Sequence, residues 1–164
     1  MHAVHRYASD VCRGEILAGD EVIAACERHL EDLERPEVTF DEAAADRAIG
    51  FFPEMLTMRK GKAHGQPFVL LPWLQFITGS LFGWKRAEDG FRRFHSAYIE
   101  VGKGAAKSPW AAGVGVYMAF CDGESAAECY IMARTRDQAA VAFNYAVYQV
   151  KHCLLYTSPS PRDS

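Results

Sequence analysis

The sequence predicts an α/β protein in which a helical amino-terminal segment precedes part of a parallel sheet. Three observations lead there. Between residues 7 and 52, apolar residues recur at helical spacing. Past a polar connection, Arg59-Lys-Gly-Lys-Ala-His-Gly65, short apolar runs alternate with helical periods, as in parallel β–α units. One of these units carries a glycine loop: the run Ala97–Val101, small residues from Gly102 to Ala106, then Lys107-Ser108, and the periodic segment Trp110–Phe120. Strand, glycine loop, Lys-Ser and helix is the layout of a phosphate-binding P-loop.

Taken in order, the chain first offers a short helix from Tyr7 to Leu17, with Ala18-Gly19 as its stop. Asp20 is placed to cap a second helix with Val22, Cys26, Leu30 and Leu33 inward. The opposite face, with Glu21, Glu27, Arg28, Glu31, Asp32, Glu34 and Arg35, reads as solvated, and Pro36 ends the helix. Thr39 or Asp41 opens a third helix, apolar at Ala44, Ala48, Phe51 and Phe52. The connection that follows is the best boundary, giving a helical segment over 1–64 and an α/β part over 65–152. Beyond it, 68–71 reads as a buried strand, Pro72 starts an apolar helix through Leu81, and Phe82-Gly-Trp84 closes it. The run 97–101 is the second strand and 127–132 the third. Thr135 to Val150 is a last helix with Ala139, Phe143, Ala146, Val147 and Val150 inward.

The glycine loop needs the residues it has. Small side chains at Gly102, Gly104, Ala105 and Ala106 let backbone N–H groups close around phosphate oxygens, and a helix N-terminus adds partial positive charge. Lys107 would reach the β- and γ-phosphates of ATP, and the Ser108 hydroxyl would hold Mg²⁺. Pro109 suits the first helical turn, where no N–H is missed. The full pattern G-x-x-x-x-G-K-[ST] asks for glycine at 101 and 106, where the chain has Val101 and Ala106. A left-handed Ala106 would cost about 1–2 kcal/mol. Charged to nucleotide binding, that is roughly ten- to thirtyfold in affinity.

Composition excludes several classes. The chain has 164 residues, 49% hydrophobic and 24% charged, which suits one globular domain rather than a disordered or membrane protein. A net charge of −3 gives no global basic surface for nucleic acid. No apolar run reaches bilayer length, and Met1-His-Ala-Val-His-Arg-Tyr7 lacks the core of a signal peptide. The five cysteines form no C-x-x-C pair, and four of them sit in periodic segments as reduced core residues. The six histidines are dispersed and suggest no metal site. Asp89, Asp122 and Glu124 are scattered and form no acidic metal cluster.

Residues 153–164 break the pattern. Cys153-Leu-Leu-Tyr-Thr-Ser-Pro-Ser-Pro-Arg-Asp163 resembles a reading frame of a sequencing-library adapter, and a helical period turns abruptly into Ser-Pro-Ser-Pro. The expectation is a non-native tail on a chain truncated near His152.

An ordered series of motifs resembles one family, the large subunit of tailed-phage terminases, at the amino-terminal end of its packaging ATPase. The series runs through Tyr7-Ala-Ser-Asp-Val with Gly14, Val22-Ile-Ala-Ala-Cys-Glu-Arg28, Leu71-Pro-Trp-Leu-Gln-Phe-Ile77 and Leu81-Phe-Gly-Trp84. It continues with Arg92-Arg-Phe94, Tyr98-Ile-Glu-Val-Gly-Lys-Gly104, Asp122-Gly-Glu124 and Asp137-Gln-Ala139. The resemblance implies a P-loop NTPase fold of the RecA/ASCE-like kind. It implies ATP and Mg²⁺ as cofactors, and a motor that drives double-stranded viral DNA into a procapsid. Its implied partners are phage DNA, the portal protein, the small terminase subunit and copies of itself in a ring, in the cytoplasm of an infected bacterium and away from membranes.

By resemblance, Gly102 to Ser108 is the Walker A loop, with Lys107 on phosphate and Ser108 on metal. Lys103 stands where many members carry an additional basic residue, and it reads equally as a solvated loop lysine. The family's adenine-recognising glutamine falls near Trp73, but Leu74 follows that residue here. Either Gln75 takes the role with a shifted register or the bond is missing, since leucine can neither donate nor accept. Trp73 and Trp84 are candidates to stack near the base, or plain core residues. Arg92 and Arg93 read as surface residues at a strand start. Thr135, Asp137 and Gln138 either follow a strand end beside the nucleotide or cap the last helix. No acidic strand follows that helix and the nuclease carboxylates are missing, so the chain is expected to bind nucleotide weakly and hydrolyse almost none. Two other readings stay open: a different P-loop protein, such as a small kinase or GTPase, and a non-catalytic interaction module in which the glycine loop is merely a turn.

Overall fold

A computed structural model describes residues 1–61 and 63–152; the adapter-like tail lies outside the described residues. Among the described residues, six helices and two short strands occur in the order α1 (Ala3–Cys12), α2 (Asp20–Asp32), β1 (Val38–Phe40), α3 (Glu42–Met55), α4 (Pro72–Gly83), β2 (Trp84–Arg86), α5 (Lys107–Phe120) and α6 (Arg136–His152). They divide into two compact units: residues 1–50 with 70–98, and 51–69 with the chain from 99 onward. Unit 1 takes α4 and β2 as well as the amino-terminal helices, and the last turn of α3 belongs to unit 2.

In unit 1, α1 starts four residues earlier than its apolar period predicts because His2 caps it, Nδ1 accepting the Val4 N–H at 3.2 Å. It ends at Cys12, where Gly14 turns left-handed (φ 75°) and the N–H groups of Glu15 and Ile16 fold back onto the Asp10 carbonyl. Asp20 is the first residue of α2 rather than its cap, a position where its charge still suits the helix dipole. The buried face of α2 is not the predicted one. Cys26 is buried as expected, but Val22 and Leu33 are exposed, while His29 and Asp32 lie inside.

Asp32 was expected on the solvated face. It sits inside because Arg93, from beyond β2, forms an ion pair with it, and Arg35 adds a contact at 3.3 Å. A buried carboxylate requires such partners. Asp41 caps α3, its Oδ1 accepting the Ala44 N–H at 2.9 Å, so Asp41 and not Thr39 opens that helix. Pro72 leads α4 as predicted. α1 packs on α2 and α4 around Val4, Ala8, Val11, Cys26 and Phe76. The approach at Gly79 is so close that a Cβ there would collide with the Val4 side chain.

The sheet corrects the sequence most. Among the described residues it has two antiparallel strands, β1 and β2, paired Val38–Arg86, Thr39–Lys85 and Phe40–Trp84. None of the runs 68–71, 97–101 or 127–132 forms a strand. Apolar character makes a run suitable for a sheet, but a strand exists only through ladder partners. Residues 68–71 keep the period-two signature, with Phe68 and Leu70 buried and Val69 and Leu71 exposed. Residues 97–101 and 127–132 leave Tyr98, Tyr130 and Met132 exposed. The strands that do form are anchored by a cross-strand aromatic pair, Phe40 edge-on to Trp84 with centroids 5.2 Å apart.

In unit 2, α5 packs its Trp110, Ala112, Val116 and Tyr117 inward. A Cβ on Gly113 would meet Phe52 at 2.5 Å and Leu56 at 2.9 Å, so this helix position must stay bare. α6 pairs with α5, but its predicted inward face is also corrected: Phe143 is exposed and Gln149 is the fully buried residue. Gln149 both accepts from the Thr57 N–H (3.0 Å) and donates to the Thr57 carbonyl (2.7 Å), which fixes the helix rotation. Of the described cysteines only Cys26 is a core residue; Cys12, Cys121 and Cys129 are exposed.

Candidate nucleotide-binding site

The segment from Val101 to Ser108 lies within unit 2 and forms a closed loop ahead of α5. Lys103 and Gly104 make a turn, with Gly104 left-handed (φ 91°) and the Ala105 N–H near the Gly102 carbonyl at 3.5 Å. Ala106 is left-handed as well (φ 56°, ψ 18°) and is the residue from which the helix springs. Its carbonyl accepts the Trp110 N–H at 3.0 Å, the first helical bond. No side chain caps this helix start, which leaves its first amides open to an outside acceptor. A Cβ added at Gly102 or Gly104 would meet nothing within 4 Å, so the space over the loop is clear.

Lys107 is exposed and extends back across the loop, its Nζ donating to the Val101 carbonyl at 3.3 Å. The ammonium is thereby held on the loop it would share with an anion. Ser108 is half-buried one residue into the helix, and Lys103 is exposed at the turn. A triphosphate suits this donor set in kind: backbone amides at a helix start, a lysine held alongside and a hydroxyl next to it.

The other predicted site residues lie in unit 1 and have local duties there. Gln75, in the first turn of α4, donates its Nε2–H to the Leu70 carbonyl at 2.8 Å, and Trp73 is half-buried in the same turn. Trp84 is 1% exposed, so its base-stacking role is withdrawn in favour of the core. Arg93 is no surface residue either, since it serves Asp32 and lies over the Trp84 and Phe94 rings. Thr135 takes the capping role, Oγ1 accepting the Gln138 N–H at 3.3 Å. Among the described residues no group of three or more His, Cys, Asp or Glu is arranged to hold a metal ion, and no helix is long and apolar enough to cross a membrane. The histidines, however, are not all dispersed: His2, His5 and His29 come together in unit 1.

The family model for the terminase large subunit, ATPase domain, matches residues 72–155, just over half the chain. The chain belongs to that family. The match takes in α4, the glycine loop, α5 and α6, so the loop and its Lys-Ser pair lie inside the family's ATPase domain. No curated protein and no solved structure matches the chain. Membership in the terminase ATPase family implies a P-loop fold, whereas the described residues show only a short two-stranded sheet.

Proposed function

We propose that this terminase-family chain carries the nucleotide-binding loop of a phage DNA-packaging ATPase, with Gly102 to Ser108 as the phosphate cradle. The observation that carries the reading is the helix start: α5 begins at Lys107 from a left-handed Ala106, with no side-chain cap and with open space beside Gly102 and Gly104 of the loop. Gly102, Gly104, Ala105 and Ala106 offer their backbone, Lys107 and Lys103 charge, and Ser108 a hydroxyl for Mg²⁺. When bound, Mg²⁺ would neutralise phosphate charge that backbone amides alone cannot. Lys107 needs only to exchange the Val101 carbonyl for a phosphate oxygen, a stronger, charge-assisted partner. Gln75 and Trp73 remain proposed contacts of the nucleotide. The motor's proposed partners are those of the family: double-stranded DNA, a portal, a small subunit and further copies of the chain, in an infected host cell.

The test is binding of a non-hydrolysable ATP analogue to the full chain with and without Mg²⁺. Lys107→Ala should weaken Mg²⁺-dependent binding at least about tenfold, the loss of one charge-assisted contact. An unchanged affinity would favour the interaction-module reading, in which the glycine loop is only a turn.

A further inference from the structure

Unit 1 contains a chain of hydrogen bonds whose proton order is fixed by its last member. The Trp84 indole N–H donates to His29 Nδ1 at 2.9 Å. An indole nitrogen can only donate, so His29 Nδ1 carries no proton and the neutral ring must hold its proton on Nε2. Nε2 lies 2.8 Å from His5 Nδ1 and therefore donates to it. His5 in turn keeps its proton on Nε2, 3.5 Å from Glu42 Oε1. Beside it, His2 accepts the Val4 N–H through Nδ1 and so offers Nε2–H to Asp46 Oδ1 at 3.0 Å. The amino-terminal half of α1 is thus tied to α2, β2 and the first turns of α3 through imidazole hydrogen bonds.

From this order we propose that the His5–His29–Trp84 chain is an acid-sensitive latch that holds α1 against the rest of unit 1. A proton added to His5 Nδ1 would face the His29 Nε2–H. Shifting the His29 proton to Nδ1 would face the Trp84 N–H instead. No arrangement of an extra proton keeps both bonds, and His29 is 3% exposed, so water cannot replace the lost one.

The surroundings set the sign. Around His29, Asp32 favours the charged ring, but Arg93 and Arg35 already hold that carboxylate, and His2 and Arg28 oppose the charge. The neighbouring rings of Phe40 and Phe76 offer no acceptor. Around His5, burial, His2 and the amino group of Met1 oppose the charge, and Glu42 favours it. Burial, followed by His5, lowers the His29 pKa from 6.5 to about 4. The latch is therefore complete above pH 6.5 and its contribution is lost as pH falls from there toward 4.

His29 alone should raise the unfolding constant of the full chain about thirtyfold between about pH 7.5 and about pH 5. His29→Gln can accept from Trp84 and donate to His5 without titrating, and should remove most of that rise. Amides of α1 should lose protection in acid before those of α5. An equal rise in the variant would overturn the proposal. If the variant does not fold, ring-nitrogen NMR on the wild-type chain decides. His29 protonated on Nε2 and neutral at about pH 5 supports the latch, whereas a proton on Nδ1, or titration near the ordinary value, overturns it.

Discussion

Ala106 carries the penalty that the glycine-for-alanine departure predicts, but it falls on a different quantity. The residue is left-handed (φ 56°) at the start of α5, so the strain belongs to the folded chain itself. It weighs on folding and not on affinity. Ala106→Gly should therefore stabilise the chain by roughly 0.5–1 kcal/mol, the relief of left-handed alanine less the added freedom of glycine when unfolded. Nucleotide affinity should stay within about threefold, under 1 kcal/mol. Thermal melts and titrations of the two proteins separate the effects; tenfold tighter binding would mean that the loop changes shape to bind. Ala106 also shows what a sequence exposes. The position, the helix start at Lys107 and the Asp41 cap are local and were legible. The buried roles of His29 and Asp32 were not, because their partners, Trp84 and Arg93, lie more than fifty residues along the chain.

Elements whose rotation is set by one polar contact cannot be oriented from hydrophobic period alone. α6 is the clearest instance. Its apolar residues predict Phe143 inward, yet the helix turns so that Gln149 meets Thr57 while Tyr145 and Tyr148 lie beneath the Arg59 guanidinium. Gln149 here does the work of a neighbouring strand, supplying both an acceptor and a donor to one residue of the backbone. Gln149→Leu would keep the volume and orphan both Thr57 groups, at about 1–3 kcal/mol each where they are buried. Phe143→Ser, on the face the period wrongly assigns to the core, should cost under about 0.5 kcal/mol. Denaturant midpoints of the two variants test this order, and a costlier Phe143 change would restore the predicted face. α4 needed no such correction, because Pro72 fixes its start and its mostly apolar residues fix its burial.

At the scale of the molecule, the strands that failed to appear have a physical consequence. The alternation of apolar runs and helices correctly announced the α/β character of the family, but a parallel sheet is a property of several runs at once. The run 127–132 is not paired into a sheet among the described residues, and it leaves Tyr130 (77%) and Met132 (90%) exposed. Apolar, β-prone segments without ladder partners are templates for intermolecular pairing. The chain should accordingly self-associate with rising concentration, against the mild protection of its net charge of −3. A lysine at a fully solvated position adds repulsion without removing a buried contact. Met132→Lys should then lower light scattering at high concentration while the melting free energy moves by less than about 0.5 kcal/mol. A large loss of stability in that variant would mean that Met132 is packed in solution and that 127–132 has found a partner strand after all.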